Sequence, residues 1–474
     1  MRALIDWSHD LLDERERRLF RRLGIFVNDF TLEAAVAVGS GDGLDERDIF
    51  DVLASLVDKS LVLAEPDGDA LRYRLLESTR VYAREKLENA DEREATMARH
   101  LRSLRGRFVE AWERRERTGG ATELHNLLEA ELEEVRAALD WALAGGDVRC
   151  GGELLAAIDA RWHFIGLGYE GIARLEAFTT ALAESEPALL SRLWSARATI
   201  ASDSPLRMRS LEAALAGLKF ARASGEPAIL AGALNAWARS AAGARRFDEA
   251  EEALAEAESI PGPSARMRLL ILSGRAYSSV LRGDLAGAAR AYEQLRDHNH
   301  ALGNPTGERT YIQNLAEVEH TRGNTSRAIA LLREILPAVR ATTDHSLLAG
   351  ILGNFAAYLV ATGDLPAARD AARGAIRALA LGDPQSHGIA IPTEHLALAL
   401  ALAGDLPRAA RLAGYADAAL LELGIVREFT EKKTHDRLTT LLHERLAPAD
   451  RERLLAEGAA LVPEAAIALA FDEP

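Results

Sequence analysis

Three polar side chains recur at nearly constant intervals in the second half of the chain: Asn314, Asn354 and His395 are 40 and 41 residues apart. Each stands ten residues before an Asp or Asn that follows a glycine. An amide side chain carries both hydrogen-bond donors and an acceptor, so these positions can bind a peptide backbone or a polar effector. The residues predicted to lie beside them on the same binding surface are Tyr277, Gln313 and Glu317. The pattern favours ligand binding over catalysis.

The residue types that carry catalysis are not arranged for it. The phosphate-binding pattern G-x-x-x-x-G-K-[ST] does not occur, and the glycine cluster at 39–43 lacks the lysine, so a plain turn is predicted there. His298 and His300 lie two positions apart on a predicted helix and point to different sides, which disfavours shared metal ligation. Cys150 has no neighbouring base in the sequence. We therefore predict no catalytic residue, no metal site and no cofactor.

The composition indicates a helical protein. Hydrophobic residues make up 48% of the 474 residues but aromatic residues only 5%, so Ala and Leu must fill the core. The net charge of −15 opposes binding to a phosphate backbone unless a basic face forms locally. A single cysteine excludes an internal disulfide framework, and no apolar run approaches the ~20 residues of a membrane-spanning helix. We expect a cytoplasmic protein with no membrane contact.

The elements that must position the groove residues come from a repeated segment. Each copy contains an apolar-periodic helix, a glycine suited to the left-handed conformation, an Asp or Asn that can cap the next helix, and a second helix. The alanines that close the five turn motifs are Ala250, Ala288, Ala328, Ala368 and Ala409. One αα-hairpin cannot bury its own apolar face, so the copies must stack into a superhelical solenoid. The pattern resembles the tetratricopeptide repeat (TPR) in a form of about 40 residues. In TPR-like arrays the first helix of each hairpin lines the concave groove.

The first ninety residues have a different pattern. Helices are predicted over 12–23, from Thr31, from Asp45 and over 77–88, with a β-hairpin around 66–69 before the last of them. Three helices followed by a hairpin is the order of a winged helix.

DNA binding through this segment is the alternative function. The third predicted helix, 45–59, has a net charge of −3, and residues 1–90 hold 13 Lys or Arg against 19 Asp or Glu. An acidic helix is unsuited to facing phosphates, so we expect no direct nucleic-acid contact. The alternative predicts salt-dependent DNA binding that requires Arg72 and Arg74 of the wing.

Several segments resemble the winged helix and helical arm of bacterial STAND-type (NB-ARC-like) signalling ATPases. They are Ala3-Leu-Ile-Asp-Trp-Ser8, Leu19-Phe-Arg-Arg-Leu23, Phe30-Thr-Leu-Glu-Ala-Ala35, Leu56-Val-Asp-Lys-Ser-Leu61, Tyr73-Arg-Leu-Leu-Glu77 and the stretch 129–141. The resemblance implies that a nucleotide-binding domain precedes this region in the family, so that Met1 falls just after the ATPase.

The fold class predicted from these observations is mainly α: a small winged-helix domain followed by a TPR-like αα-hairpin solenoid. The predicted divisions are 1–90 for the winged-helix-like domain, 91–150 for a helical connector, 151–425 for the repeats and 426–474 for C-terminal capping helices. We expect a non-catalytic regulatory module that binds a protein, a peptide or a small effector in its groove. The resemblance further implies coupling to an ATPase domain, in cis or in trans, and to transcriptional regulation.

Overall fold

The computed structural model describes residues 2–67, 70–118, 122–165, 167–184, 186–202, 207–261, 265–341, 345–382, 387–423, 427 and 429–472. Residues 68 and 69 of the predicted hairpin turn lie outside these ranges. The chain forms two compact units: unit 1 consists of Met1–Ala201 and Arg209–Trp237, and unit 2 of Ser202–Met208 and Ala238–Pro474. In the part of the chain that is described, no helix is both long and apolar enough to cross a bilayer.

The N-terminal elements follow the predicted winged-helix order. They are α1 Arg2–Asp10, α2 Glu14–Leu23, α3 Leu32–Gly39, α4 Glu46–Asp58, β1 Leu63–Asp67, β2 Ala70–Arg74 and α5 Glu77–Asn89. Helix α1 was not predicted. A capping box begins α2, where the Asp13 carboxylate accepts from the Glu16 N–H at 2.8 Å and Glu16 accepts from the Asp13 N–H at 2.8 Å. The two strands pair antiparallel, and a bridge from Phe30 to Tyr73 extends the sheet.

Arg22 is a buried arginine that connects several segments of the winged helix. Its side chain is fully buried and donates to the carbonyl oxygens of Gly39 at 2.7 Å and Gly41 at 2.9 Å. It also pairs with Asp42 at 2.8 Å and Glu92 at 2.9 Å. The glycine cluster at 39–43 is therefore a turn organised by Arg22, in agreement with the prediction of a plain turn.

The next helices along the chain are α6 Arg93–Thr118, α7 Thr122–Ala130, α8 Leu132–Leu143, α9 Val148–Ile158, α10 Arg161–Phe164, α11 Gly168–Ala181, α12 Pro187–Ser202, α13 Arg207–Ser224 and α14 Pro227–Gly243. Glu134 of α8 joins this region to the winged helix. Its buried carboxylate accepts from the backbone N–H groups of Val27 and Asn28 at 2.7 and 2.8 Å, and its other oxygen lies 3.1 Å from His100 Nε2 on α6.

Unit 2 contains the hairpin array. Its helices are α15 Phe247–Ser259, α16 Ala265–Arg282, α17 Leu285–Ala301, α18 Pro305–Thr321, α19 Thr325–Arg340, α20 His345–Thr362, α21 Leu365–Gly382, α22 Ala390–Ala403, α23 Leu406–Leu423, α24 Phe429–Arg445, α25 Pro448–Ala459 and α26 Pro463–Phe471, with a 3₁₀ turn at His387–Ile389. The five predicted turns fall between helices, and the five closing alanines are completely buried. A small side chain at this position lets the second helix pack closely on the first.

The hairpin turns need a residue in the left-handed backbone region. In four turns a glycine occupies it, with φ between +84° and +100°. The residues are Gly283, Gly323, Gly363 and Gly404. In the first turn Arg245 takes the same conformation with φ +62°, a conformation that costs a residue with a Cβ about 1 kcal/mol or more.

The predicted caps of the second helices form in three turns and fail in one. Asp284, Asp364 and Asp405 accept hydrogen bonds from the backbone N–H three residues ahead at 2.9 to 3.3 Å. Asn324 makes no such bond, so its predicted capping role is wrong. Its amide instead donates to the buried carboxylate of Glu319 at 2.6 Å.

Candidate binding surface of the helical array

The first helices of the last four hairpins, α16, α18, α20 and α22, form one side of the array, which we call the inner face. Neighbouring first helices touch: α18 contacts α20, and α20 contacts α22. Five of the six groove residues predicted from the sequence are half-buried on α16, α18 and α20. These five are Tyr277, Gln313, Asn314, Glu317 and Asn354. Half-buried polar groups on rigid helices keep part of their surface accessible.

The α16–α18 end of the inner face is aromatic, with the charges of Arg239 and Glu317 beside the rings. The guanidinium of Arg239 lies over the Tyr277 ring at 5.1 Å, and Tyr292 stacks on Tyr311 with ring centroids 6.3 Å apart. Burial, followed by the nearby Glu317 carboxylate, raises the pKa of Tyr292, so its hydroxyl stays protonated. Gln313 faces the next hairpin, where Gly350 leaves room for its amide.

His395 differs from the other predicted groove residues because it is buried, with 1% of its surface exposed. Its Nδ1 lies 3.0 Å from the Thr434 hydroxyl of α24. Burial lowers the pKa of His395 to about 4, so the ring is neutral at pH 7. The helix that covers His395 comes from far along the sequence, which the spacing of the repeats does not indicate. In this structure His395 is not an open groove position.

Helix α24 covers the inner face at α18, α20 and α22, all of which it contacts. Beneath it, His320 and Tyr358 stack with ring centroids 4.4 Å apart, and both rings are buried. Burial and the nearby Lys433 of α24 lower the pKa of His320 to about 4. Burial, with Glu317 and Glu431 nearby, raises the pKa of Tyr358. The sequence analysis missed both residues. The one sequence feature that could have indicated them is an aromatic ring near the C-terminal end of two consecutive first helices, α18 and α20.

Glu394 is the centre of a charged network at the beginning of α24. Arg427 donates to both of its oxygens at 2.7 to 3.1 Å and also to Asp417. His435 Nδ1 lies 2.9 Å from Glu394 and 3.5 Å from Asp417. Burial acts to raise the pKa of Glu394, but the hydrogen bonds from His435 and Arg427 outweigh it and lower that pKa. The bond to Glu394 raises the pKa of His435.

Glu394, Asp417 and His435 also have the composition of a metal site. One ligand atom from each lies within 4.8 Å of the others. Arg427, however, already binds both carboxylates, and an arginine held at 2.7 Å neutralises them as a cation would. A metal ion would have to displace Arg427, so the arrangement fits an ion-pair network.

The other residues considered for chemistry are placed as structural side chains. Cys150 is buried at the start of α9, and burial raises the pKa of its thiol to about 11, which keeps it unreactive at pH 7. His300 pairs with Glu308 at 3.0 Å, whereas the Nε2 atom of His298 is buried. The two histidines do not converge on a common ligand.

The wing arginines required by the DNA-binding alternative are paired within the protein. Arg72 donates to both oxygens of Asp29 at 3.0 and 3.1 Å, and Arg74 pairs with Glu65 at 2.7 Å. A guanidinium already bound to a carboxylate must break that pair to reach a phosphate. The third helix predicted for this region is α4 in the structure, and it keeps its acidic character, with Phe50 exposed among charged neighbours.

Comparison with known proteins finds a family match in the N-terminal region. Residues 12–88 match the family described as "Winged helix-turn-helix domain". Proteins of Mycobacterium tuberculosis and Mycobacterium bovis that carry the name "Putative HTH-type transcriptional regulator" are 32% identical over 367 residues. That alignment covers 73% of this chain and 40% of the relatives, so the chain spans well under half their length.

Two further similarities were found, one to a protein sequence over a shorter stretch and one to a solved structure. An uncharacterised protein of Mycobacterium tuberculosis is 40% identical over 104 residues, which is 22% of this chain and 26% of that protein. Among solved structures, a STAND protein with a tetratricopeptide repeat sensor from Pyrococcus horikoshii aligns with a TM-score of 0.41 at 16% identity. That alignment covers 92% of this chain and 66% of the other.

Proposed function

We propose that this chain is the non-catalytic sensor part of a transcriptional regulator, and that its array binds a protein, a peptide or a small effector on the inner face. The observation that carries the proposal is the row of half-buried polar side chains Gln313, Asn314, Glu317 and Asn354 on successive first helices. Amide groups held on a rigid helix can satisfy both the N–H and the C=O of an extended ligand.

The regulatory setting is supported by the N-terminal region. A winged helix-turn-helix match over 12–88 accompanies relatives whose names include "HTH-type transcriptional regulator". In our proposal the winged helix docks the array onto a STAND-type ATPase domain, in cis or in trans, and ligand binding shifts the population of its conformations. The residue motifs of the N-terminal region and of 129–141 support this part.

The test compares ligand capture by three forms of the full chain. The double variant Asn314→Ala/Asn354→Ala removes the amides, and Gln294→Ala removes an exposed amide from the second helix α17 as a matched control. A partner captured from the native cell extract is then titrated by calorimetry. We expect the double variant to lose about tenfold or more in affinity and the control to bind as the wild type does. Equal binding by all three forms would contradict the proposal.

Direct DNA binding by the winged helix is the second candidate function, favoured by the family match. The acidic α4 and the paired Arg72 and Arg74 speak against it. A mobility shift of duplex DNA at low salt, abolished by Arg72→Ala/Arg74→Ala, would support this second function. The absence of a shift with micromolar protein would remove it.

A further inference from the structure

Helix α24 does not continue the hairpin pattern. In the array each first helix packs on the preceding second helix: α18 on α17, α20 on α19 and α22 on α21. Helix α24 packs mainly on α22 and also touches α20 and α18, whereas α25 takes the place against α23. The chain therefore folds back after the last hairpin, and α24 covers the inner face that the hairpins create.

The apolar contribution of this cover is small. Its buried side chains are Thr430, Thr434, Leu438 and Leu442, spaced four residues apart. Only two of these are large apolar groups, with Leu441 half-buried against the same core, and burying one leucine contributes roughly 1.5–3 kcal/mol. In α22, by contrast, eleven of fourteen residues are buried. Helix α24 is held far more weakly by apolar burial than the helix on which it lies.

The interface also leaves polar groups unsatisfied. Tyr358 Oη, His395 Nε2 and Thr430 Oγ1 are buried, and none has a hydrogen-bond partner among the described residues. An unpaired buried polar group costs roughly 1–3 kcal/mol, and that cost is relieved when the group meets water or a ligand. These three atoms lie on α20, α22 and α24. The closed arrangement is therefore opposed by the groups it buries.

One charged network offsets this cost. The buried carboxylate of Glu394 binds Arg427 just before α24 and His435 on it, and Asp417 contacts both. Charge-assisted hydrogen bonds of this kind contribute more than neutral ones. The attachment of α24 thus depends on a few ionic contacts at one end.

We propose that α24 is a displaceable cover, and that a partner α-helix takes its place on the inner face. The partner helix would present two hydroxyl side chains and two leucines at four-residue spacing, with a basic side chain to meet Glu394 and Asp417. Its binding would expose or reuse His320, Tyr358 and His395. The inference rests on the proposed function in that it identifies the kind of partner that the array binds.

The decisive measurement is hydrogen exchange by mass spectrometry on the full chain without any ligand. We expect the amides of α24 to exchange through a local opening while α22 and α23 stay protected. Glu394→Gln should raise exchange in α24 about tenfold. Arg427→Gln is a milder change, because it leaves the contact between Glu394 and His435 in place, and it should also raise exchange in α24 about tenfold. Glu251→Gln, which breaks an exposed ion pair with Arg275 elsewhere in the array, should leave α24 unchanged.

If the amides of α24 exchange at the same rate as those of α22 in the wild type and in both variants, the proposal that α24 is displaceable is overturned. Because this arm uses no ligand, such a result would leave the proposed binding at Asn314 and Asn354 untouched. The second arm uses a fluorescent synthetic peptide of residues 427–445 as the partner helix. This peptide should bind the Arg427→Gln variant about tenfold more tightly than it binds the wild-type chain, because the variant's own α24 is displaced more easily. Failure to bind a variant whose α24 is shown to open would overturn helix docking.

Discussion

Gly414 and Gly458 bring the backbones of α23 and α25 into direct contact. A Cβ on Gly414 would lie 2.1 Å from the carbonyl oxygen of Leu455, and a Cβ on Gly458 would lie 1.9 Å from that of Arg411. Each glycine thus faces the backbone three residues before the other. No side chain can rotate away from such a clash, so this contact fixes where the C-terminal helices attach to the array.

Replacing Gly414 with alanine should therefore detach α25. We expect Gly414→Ala to lower the free energy of unfolding of unit 2 by about 2 kcal/mol or more, as overpacking does. Gly353→Ala in α20 is the matched control, because a Cβ there meets no atom within 4 Å. Urea unfolding monitored by circular dichroism measures both. Equal stability of the two variants would show that the helices can move apart freely.

Arg22 should be the most sensitive charged residue of the winged helix. Arg22→Met keeps the volume but takes the guanidinium away from two carbonyl oxygens and leaves the Glu92 carboxylate with Arg21 in place of two arginines, and we expect a loss of about 3 kcal/mol. Arg93→Met removes an exposed pair with Glu94 and should change stability by less than about 1 kcal/mol. Hydrogen exchange in α2 and α3 reports the difference. Similar protection in the two variants would refute the role assigned to Arg22.

Arg245→Gly should stabilise the array. Glycine adopts φ +62° without the steric cost that arginine bears, so we expect a gain of about 1 kcal/mol, partly offset by the flexibility of glycine in the unfolded chain. The reverse change at the equivalent turn, Gly283→Ala, should cost a similar amount, because a Cβ there has open space and only the backbone is strained. Thermal unfolding of both variants tests the pair. A loss of stability in Arg245→Gly would contradict this account of the turn.

Acid should weaken unit 2 between about pH 6.5 and pH 4. The pKa values of His320 and His395 are lowered to about 4 in the fold, so the unfolded chain binds their protons first and stability falls as the pH drops through this range. Each contributes roughly 2 kcal/mol of loss by pH 5. Urea unfolding at pH 7.5 and pH 5 measures it. His395→Gln should show the smaller pH dependence, and an unchanged dependence would exclude His395 as a source.

The pair of Glu394 and His435 should confine the attachment of α24 to a pH window. The lowered pKa of Glu394 means that its contribution is present above about pH 4.5 and is lost as the pH falls through the folded value. The raised pKa of His435 means the opposite: its contribution is complete below about pH 6.5 and is lost as the pH rises through the folded value. Exchange in α24 should therefore increase on the alkaline side more in the wild type than in His435→Gln, once intrinsic rates are corrected. An equal increase in both would argue against the pair.

The sequence predicts the hairpins well because the residues that end one helix and begin the next are close together in the sequence. A glycine, an aspartate cap and a small alanine within six residues mark three of the five turns, and Gly404 through Ala409 form the last of these where expected. The same reasoning fails for Asn324, whose partner Glu319 is buried and competes for its amide. Local patterns indicate where a helix begins, but not which polar side chain a buried neighbour will bind.

The covering of the inner face could not be predicted from the spacing of the repeats. Register alone identifies His395 as inward-facing but does not indicate what lies against it. The contact partners Glu394 and Arg427 are 33 residues apart, and Thr434 is 39 residues from His395. No amphipathic pattern distinguishes the threonines of α24 from surface residues, so only the three-dimensional path of the chain reveals their role.

Glu134 gives unit 1 a mechanical property. Its carboxylate accepts from the backbone N–H groups of Val27 and Asn28 and lies beside His100, so one buried side chain links the winged helix, α6 and α8. A rotation of α8 that moves Glu134 must therefore carry the loop before Phe30 with it or break these two hydrogen bonds.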